Sequence, residues 1–170
     1  MAFFDQPESR DELGLGTIRD SIADILFPGT STIQTRLQYM LFVPWIFKGI
    51  ENGATDGNAD KLVSDARVLE LHLTEALEAG GESTGIIGRV ARAKLQRLPS
   101  SIYWVGLEQW GIRRFHGSIE SYFRSIPGQR RSMSSRRKLD EFERVDRDVH
   151  NWHPGLPAPP RSFRNRRPFG

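Results

Sequence analysis

The chain's 170 residues are 38% hydrophobic and 26% charged, with 24 Lys and Arg against 21 Asp and Glu, and contain no cysteine. Disulfides, thiolate catalysis and cysteine-ligated zinc are therefore excluded, and a chain of this length is usually one domain able to bury a core without covalent staples. A net charge of +3 does not by itself demand a polyanionic partner, so the local clustering of arginines, which greatly outnumber lysines, is the more informative quantity.

No apolar run approaches the roughly 18 residues that cross a bilayer. The start MAFFDQPESRDE lacks the basic region and apolar stretch of a secretory signal. The expectation is a cytoplasmic protein without membrane contact.

In chain order, residues 1–16 read as irregular, with Gly14 and Gly16 marking a turn. Thr17 and Asp20 form a capping pattern, and Ile18, Ile22, Ile25 and Leu26 fall on one helical face. Phe27-Pro28-Gly29 ends that helix. Ser31 with Gln34 makes a capping box, which predicts a second helix from Ser31 with Ile33, Leu37, Met40 and Leu41 inward, kinked or ended by Pro44. Gly49 to Asn58 reads as a loop. Asn58 caps a third helix to Ala79, whose Leu62, Ala66, Leu69, Leu73, Ala76 and Leu77 give the clearest helical period in the chain, and Gly80-Gly81 stops it.

Ser83 or Thr84 then starts a predicted fourth helix over Gly85 to Leu98, with Ile87, Val90, Ala91, Leu95 and Leu98 inward. Ser100 or Ser101 caps a fifth, Ile102 to Trp110, and a shorter amphipathic piece covers Ser118 to Ile126. Residues 127–138 read as a basic linker and 139–152 as a charged helix with Leu139, Phe142, Val145, Val149 and Trp152 as its seam. Residues 153–170 read as a basic, Pro/Arg-rich disordered tail. No strand signal occurs. The expected fold is all-α: a compact bundle of five to six helices, with the helical domain over 17–126.

Two patterns point to nucleic acid. Arg89, Arg92, Lys94 and Arg97 form a stripe that no acid interrupts in sequence, the residue type that grips phosphates. Tyr103, Trp104 and Trp110 stand near it as candidate stacking platforms, and Arg113 and Arg114 as an extension. The Phe27-Pro28-Gly29-Thr30 corner could join the two helices of a helix-turn-helix, with Thr32, Gln34, Thr35, Arg36 and Gln38 facing base edges. Against this, Gln34 has a cap to make and Leu37 to Phe47 reads as buried, as in an ordinary helical corner. Arg19 is expected in a structural ion pair.

The segment RRSMSSRRK and Arg161, Arg164, Arg166 and Arg167 read as solvated charge. His150 and His153, near Asp146 and Asp148, make a weak metal pattern that Pro154 interrupts. Gly80 to Gly85 lacks the lysine and preceding strand of a phosphate loop. No catalytic constellation is visible, and no cofactor is implied.

The motifs Gly16-Thr17-Ile18-Arg19-Asp20, Phe27-Pro28-Gly29-Thr30-Ser31, Thr35-Arg36 and Leu98-Pro99-Ser100-Ser101-Ile102-Tyr103-Trp104 resemble an uncharacterised bacterial family of unknown function, over residues 11–160. The resemblance supplies no activity. It implies a genomic neighbourhood of helicases and phospholipase-D-like nucleases in phage-defence loci, and hence a helicase or nuclease as protein partner. Members of that family carry an extra helical segment upstream and continue further, so the chain is expected to be a fragment of a longer protein. Together these features imply a non-catalytic component that contacts DNA or RNA, with Arg89, Arg92, Lys94 and Arg97 on phosphates and Arg36 and Gln38 as further contacts. The alternatives are a helical protein-interaction module, or a truncated fragment of a larger protein whose catalytic residues lie in the missing part.

Overall fold

A computed structural model describes residues 15–54, 58–137 and 150–164. They form five helices of three turns or more: α1 (Leu15–Leu26), α2 (Tyr39–Gly53), α3 (Ala59–Ala79), α4 (Pro99–Gln109) and α5 (Ile119–Arg137). A 3-10 turn at Arg92–Lys94 and a single-turn helix α6 (Arg161–Arg164) complete the elements. No strand occurs among the described residues; the one β-bridge pairs Arg113 with Trp152.

Helices α2 to α5 pack on one another, with α2 at the centre. Tyr39, Val43 and Phe47 of α2 are fully buried. The Phe47 ring lies 5.5 Å from Trp104, 5.7 Å from Tyr122, 4.9 Å from Phe123 and 6.2 Å from Trp152. Such ring pairs add about 0.5–1.5 kcal/mol each beyond their area. Pro44 does not end α2, which continues to Gly53. A proline inside a helix costs about 3 kcal/mol, and burial of Val43, Ile46, Phe47 and Ile50, at about 1.5–3 kcal/mol each, outweighs it.

Three expectations are corrected. The helix predicted from Ser31 begins only at Tyr39, because residues 31–38 form turns whose polar groups find partners elsewhere. The Tyr103 hydroxyl accepts from Arg36 N (2.9 Å) and donates to Arg36 O (2.7 Å), and Thr35 Oγ1 donates to Gly85 O (2.6 Å). Gln34 Nε2, instead of closing a capping box, donates to Gly29 O (2.9 Å) and Ile102 O (3.3 Å). A backbone satisfied by distant groups has no need of helical bonds.

The second correction is the fourth predicted helix. Residues 85–98 are a series of turns around the 3-10 segment. Gly85 and Gly88 take φ of +67° and +86°, and Arg92 takes +49°, all left-handed and incompatible with a continuous right-handed helix. A Cβ on Gly88 would lie 2.7 Å from Leu95 Cδ2, so the glycine also permits a close approach.

The third lies beyond residue 126. Helix α5 passes through Pro127 to Arg137, across the expected linker. The charged helix predicted at 139–152 falls mostly outside the described residues, but Trp152 is a buried core residue and no part of a helix. Within residues 153–164, the first part of the expected disordered tail, most positions are exposed, but two groups contact α2. Trp45 Nε1 donates to Pro157 O (2.7 Å), and Phe163 stacks on Phe42 at 5.9 Å. The aromatic surface left open by α2 holds them. The rest of the predicted tail, residues 165–170, lies outside the described residues.

Helix α3 occupies its predicted span, and the Asn58 side chain caps it by accepting from Asp60 N (3.0 Å) and Lys61 N (3.3 Å).

Candidate nucleic-acid interface

The loop between α3 and α4 carries four of the expected cations. Its backbone is held from beneath. Thr74 Oγ1 on α3 donates to Ile87 O (2.9 Å), Arg67 Nη2 donates to Leu95 O (2.9 Å), and Ile87 N donates to the Tyr39 hydroxyl (3.0 Å). Ile86 and Ile87 are buried. Between and beyond these anchors Arg89, Arg92, Lys94 and Arg97 are all exposed, so the fold fixes the loop while leaving its charges in water.

The stripe is free of acid along the sequence but not in space. Glu78, in the last turn of α3, lies 2.7 Å from Arg92 Nη1 and 3.5 Å from Arg89 Nε. Arg89 Nη1 also donates to Ser83 O. Two guanidinium groups thus share one carboxylate, and half-exposed pairs of this kind hold their partners weakly. Lys94 and Arg97 have no carboxylate within ion-pair distance among the described residues. The loop keeps a net positive charge.

Arg36 and Gln38 do not join this group as base readers. The Arg36 side chain is only 13% exposed; its Nε donates to Thr84 O (2.7 Å) and its Nη2 pairs with Glu82 at 2.7 Å. It ties residues 31–38 to the loop, and its fork is occupied. Gln38 is exposed just ahead of α2, where its carbonyl accepts from Leu41 N (2.9 Å) and Phe42 N (3.0 Å). Because α2 starts at Tyr39 and Tyr39, Met40, Val43 and Pro44 are buried, its N-terminus cannot enter a major groove, and the helix-turn-helix reading fails.

The neighbouring aromatics are structural as well. Tyr103 and Trp104 are buried, and Trp110, though 55% exposed, donates from Nε1 to Pro28 O (3.0 Å). Arg113 is buried over the Trp104 ring at 4.2 Å and donates to the carbonyls of Trp104, Phe115 and Gly117 and to Glu108. The His116 hydrogen bond (2.7 Å), with Arg113 beside it, holds the Glu108 carboxyl below its ordinary range. Only Arg114 of that pair is exposed.

Among the described residues no group of three or more His, Asp or Glu is placed to hold a metal ion. His153 Nδ1 accepts from Gly155 N (3.0 Å), and Asp146 and Asp148 lie outside the described residues, as do Arg166 and Arg167. No helix of the described residues is long and apolar enough to cross a membrane.

Two polar arrangements escaped the sequence reading. Glu70 is buried on α3, and its Oε2 accepts from Ser100 N (2.7 Å) at the start of α4. A carboxylate from a neighbouring helix thus does the capping that Ser100 or Ser101 was expected to do. Burial pushes its carboxyl up to about 7 against the opposing pull of the Ser100 hydrogen bonds, and Oε1 has no hydrogen-bond partner among the described residues. The signal was present: Glu70 lies four residues after Ala66 and three before Leu73, on the inward face.

The second arrangement joins Glu51, Tyr122, Gln129, Asn151 and Trp152. Tyr122 donates to Glu51 Oε2 (2.8 Å), and Trp152 Nε1 donates to the Tyr122 hydroxyl (3.0 Å). Asn151 Nδ2 donates to Glu51 Oε1 (3.0 Å) and Gln129 Oε1 (2.9 Å). Burial, with Glu51 adjacent, raises the Tyr122 phenol well above its ordinary value, so the hydroxyl stays protonated as the donor. These residues lie too far apart in sequence for any motif to reveal them.

The described residues define an all-helical domain that carries an anchored loop with four exposed cations. The chain belongs to a family of unknown function, DUF6361, which matches residues 1–169. No curated protein and no solved structure matches it significantly.

Proposed function

We propose that the protein is a non-catalytic binding component that contacts the phosphates of a nucleic acid through the loop carrying Arg89, Arg92, Lys94 and Arg97. The observation that carries the reading is the charge balance of that loop: four exposed cations stand on an anchored backbone, and one carboxylate, Glu78, pairs with two of them, Arg89 and Arg92. Arg89 and Arg92 are half-exposed and share Glu78, so either can turn to a phosphate while the other keeps the carboxylate paired. Lys94 and Arg97 need no such exchange. Contacts of this kind position a backbone and read no sequence. A place beside a helicase or nuclease in a phage-defence assembly rests on the family resemblance alone.

The test is binding to a short labelled duplex and to single-stranded RNA across a salt series. Four phosphate contacts give a logarithmic salt slope of about −3 to −4 on duplex DNA. Changing Arg89, Arg92 and Arg97 to Gln together should reduce that slope to about −1 and weaken binding at low salt. Affinity unchanged by the triple substitution would refute the reading.

A further inference from the structure

The basic loop leaves a second surface unexplained. Leu15, Ile18, Ile22 and Ile25 follow one another at 3-4-3 spacing, the seam by which helices pair. In α1 they are 60%, 56%, 51% and 79% exposed, and Leu26 and Phe27 continue the stripe at 64% and 63%. The helix is held at its root. Trp110 Nε1 and Gln34 Nε2 donate to the carbonyls of Pro28 and Gly29, and Gly29 lies so close to α4 that a Cβ there would meet Gly106 Cα at 2.8 Å. Beside the root, Asp24, Ile33, Ile102, Val105 and Gln109 line a groove of about 540 Å³ between the end of α1 and α4. A twelve-residue helix is marginal in water on its own, so a fixed root with an uncovered seam is an arrangement that gains from a second surface.

We propose that this surface pairs with a second copy of the chain, α1 crossing α1 antiparallel about a two-fold axis. Two observations favour a copy over an unrelated partner. The first is self-complementarity. An axis passing between Ser21 and Ile22 sets Ile18 opposite Ile25 of the partner subunit and the two Ile22 side chains beside the axis. Apolar meets apolar across it, as an isologous interface requires.

The second is area. At about 100 Å² for each fully exposed large apolar side chain, the stripe with Ile33, itself 42% exposed, offers roughly 400 Å² per copy. Two copies cover about 800 Å² of apolar surface, which at about 60% apolar content corresponds to an interface of about 1,300 Å², within the range of stable complexes. A patch of about 400 Å² lies within the range of the largest patch on a typical monomer, a patch that is often functional.

The full chain should sediment as a concentration-dependent dimer at up to about 100 μM. Ile22→Glu places two carboxylates face to face beside the axis and should weaken association about 100-fold or more. Val90→Glu, at a position 95% exposed and off α1, should leave the dimer intact. Because the chain has no cysteine, Ile22→Cys gives a single thiol, and mild oxidation should link it into a covalent dimer while Val90→Cys forms no covalent link. That cross-link decides the matter even where Ile22→Glu folds poorly. A wild type that remains a monomer at the highest concentration, or a dimer that neither cross-links at Ile22 nor dissociates with Ile22→Glu, would overturn the proposal. DNA binding by the loop is measured separately, so either result stands without the other.

Discussion

Glu70 makes the stability of this protein depend on pH across a window in which most carboxylates are silent. In the unfolded chain its carboxyl titrates near 4.5; in the folded chain burial raises it to about 7. Between those values the folded state holds a proton that the unfolded state has lost, so stability falls as pH rises. The contribution is fully present below about 4.5 and gone above about 7. At about 1.4 kcal/mol per tenfold change in proton affinity it amounts to roughly 3 kcal/mol. For a chain of this size each kcal/mol moves the melting temperature by about 2–4 °C, so the shift is about 6–12 °C.

Thermal unfolding followed from pH 5 to pH 8 measures this, with Glu70→Gln as reference. The amide can still accept from Ser100 N, occupies the same space and does not ionise, while every other titratable group is common to both proteins. The difference between the two curves isolates Glu70: the wild type should lose stability relative to Glu70→Gln as pH rises. A difference curve flat from pH 5 to pH 8 would refute the account of a protonated, buried carboxyl at the α4 N-terminus.

Two further outcomes follow from the packing. Gly88→Ala, which forces a side chain onto φ +86° and against Leu95, should destabilise by about 1–2 kcal/mol, read as a lower urea midpoint with unchanged slope. Trp152→Ala removes a ring that contacts Phe47, Trp104 and Tyr122 and should cost about 3–5 kcal/mol, with proteolytic cleavage appearing near residues 150–164.

What the sequence made legible was local. Asn58 to Ala79 shows its helix because cap, period and stop all lie within one segment; Ile18 to Leu26 shows its own by period and stop, although α1 begins at Leu15, ahead of the expected Thr17 cap. Ser31 to Gln38 satisfies every local rule for a helix start and still does not form one, since the Tyr103 hydroxyl and the Gly85 carbonyl lie 50 or more residues away. Gly85 to Leu98 has helical spacing, yet Gly85 and Gly88 are used for the backbone freedom that only they have. Of the candidate interface, Arg89, Arg92, Lys94 and Arg97 were found by charge. Their relation to Glu78, and the diversion of Arg36 to Glu82, required the turn of chain that brings α3 back beside the loop.

The clasp formed by Asn151 and Trp152 bears on how the chain assembles. Helical bundles ordinarily fold fast because their contacts are local. Here the Glu51–Asn151 hydrogen bond spans 100 residues and the Trp45–Pro157 bond 112. Closing loops of that length is an entropic barrier that the helices themselves do not present. The bundle can collapse early around Phe47 and Tyr122, but its final locking waits on a distant piece of chain finding its slot. Refolding should therefore show a slow phase that tracks tryptophan burial and lags the recovery of helical circular dichroism.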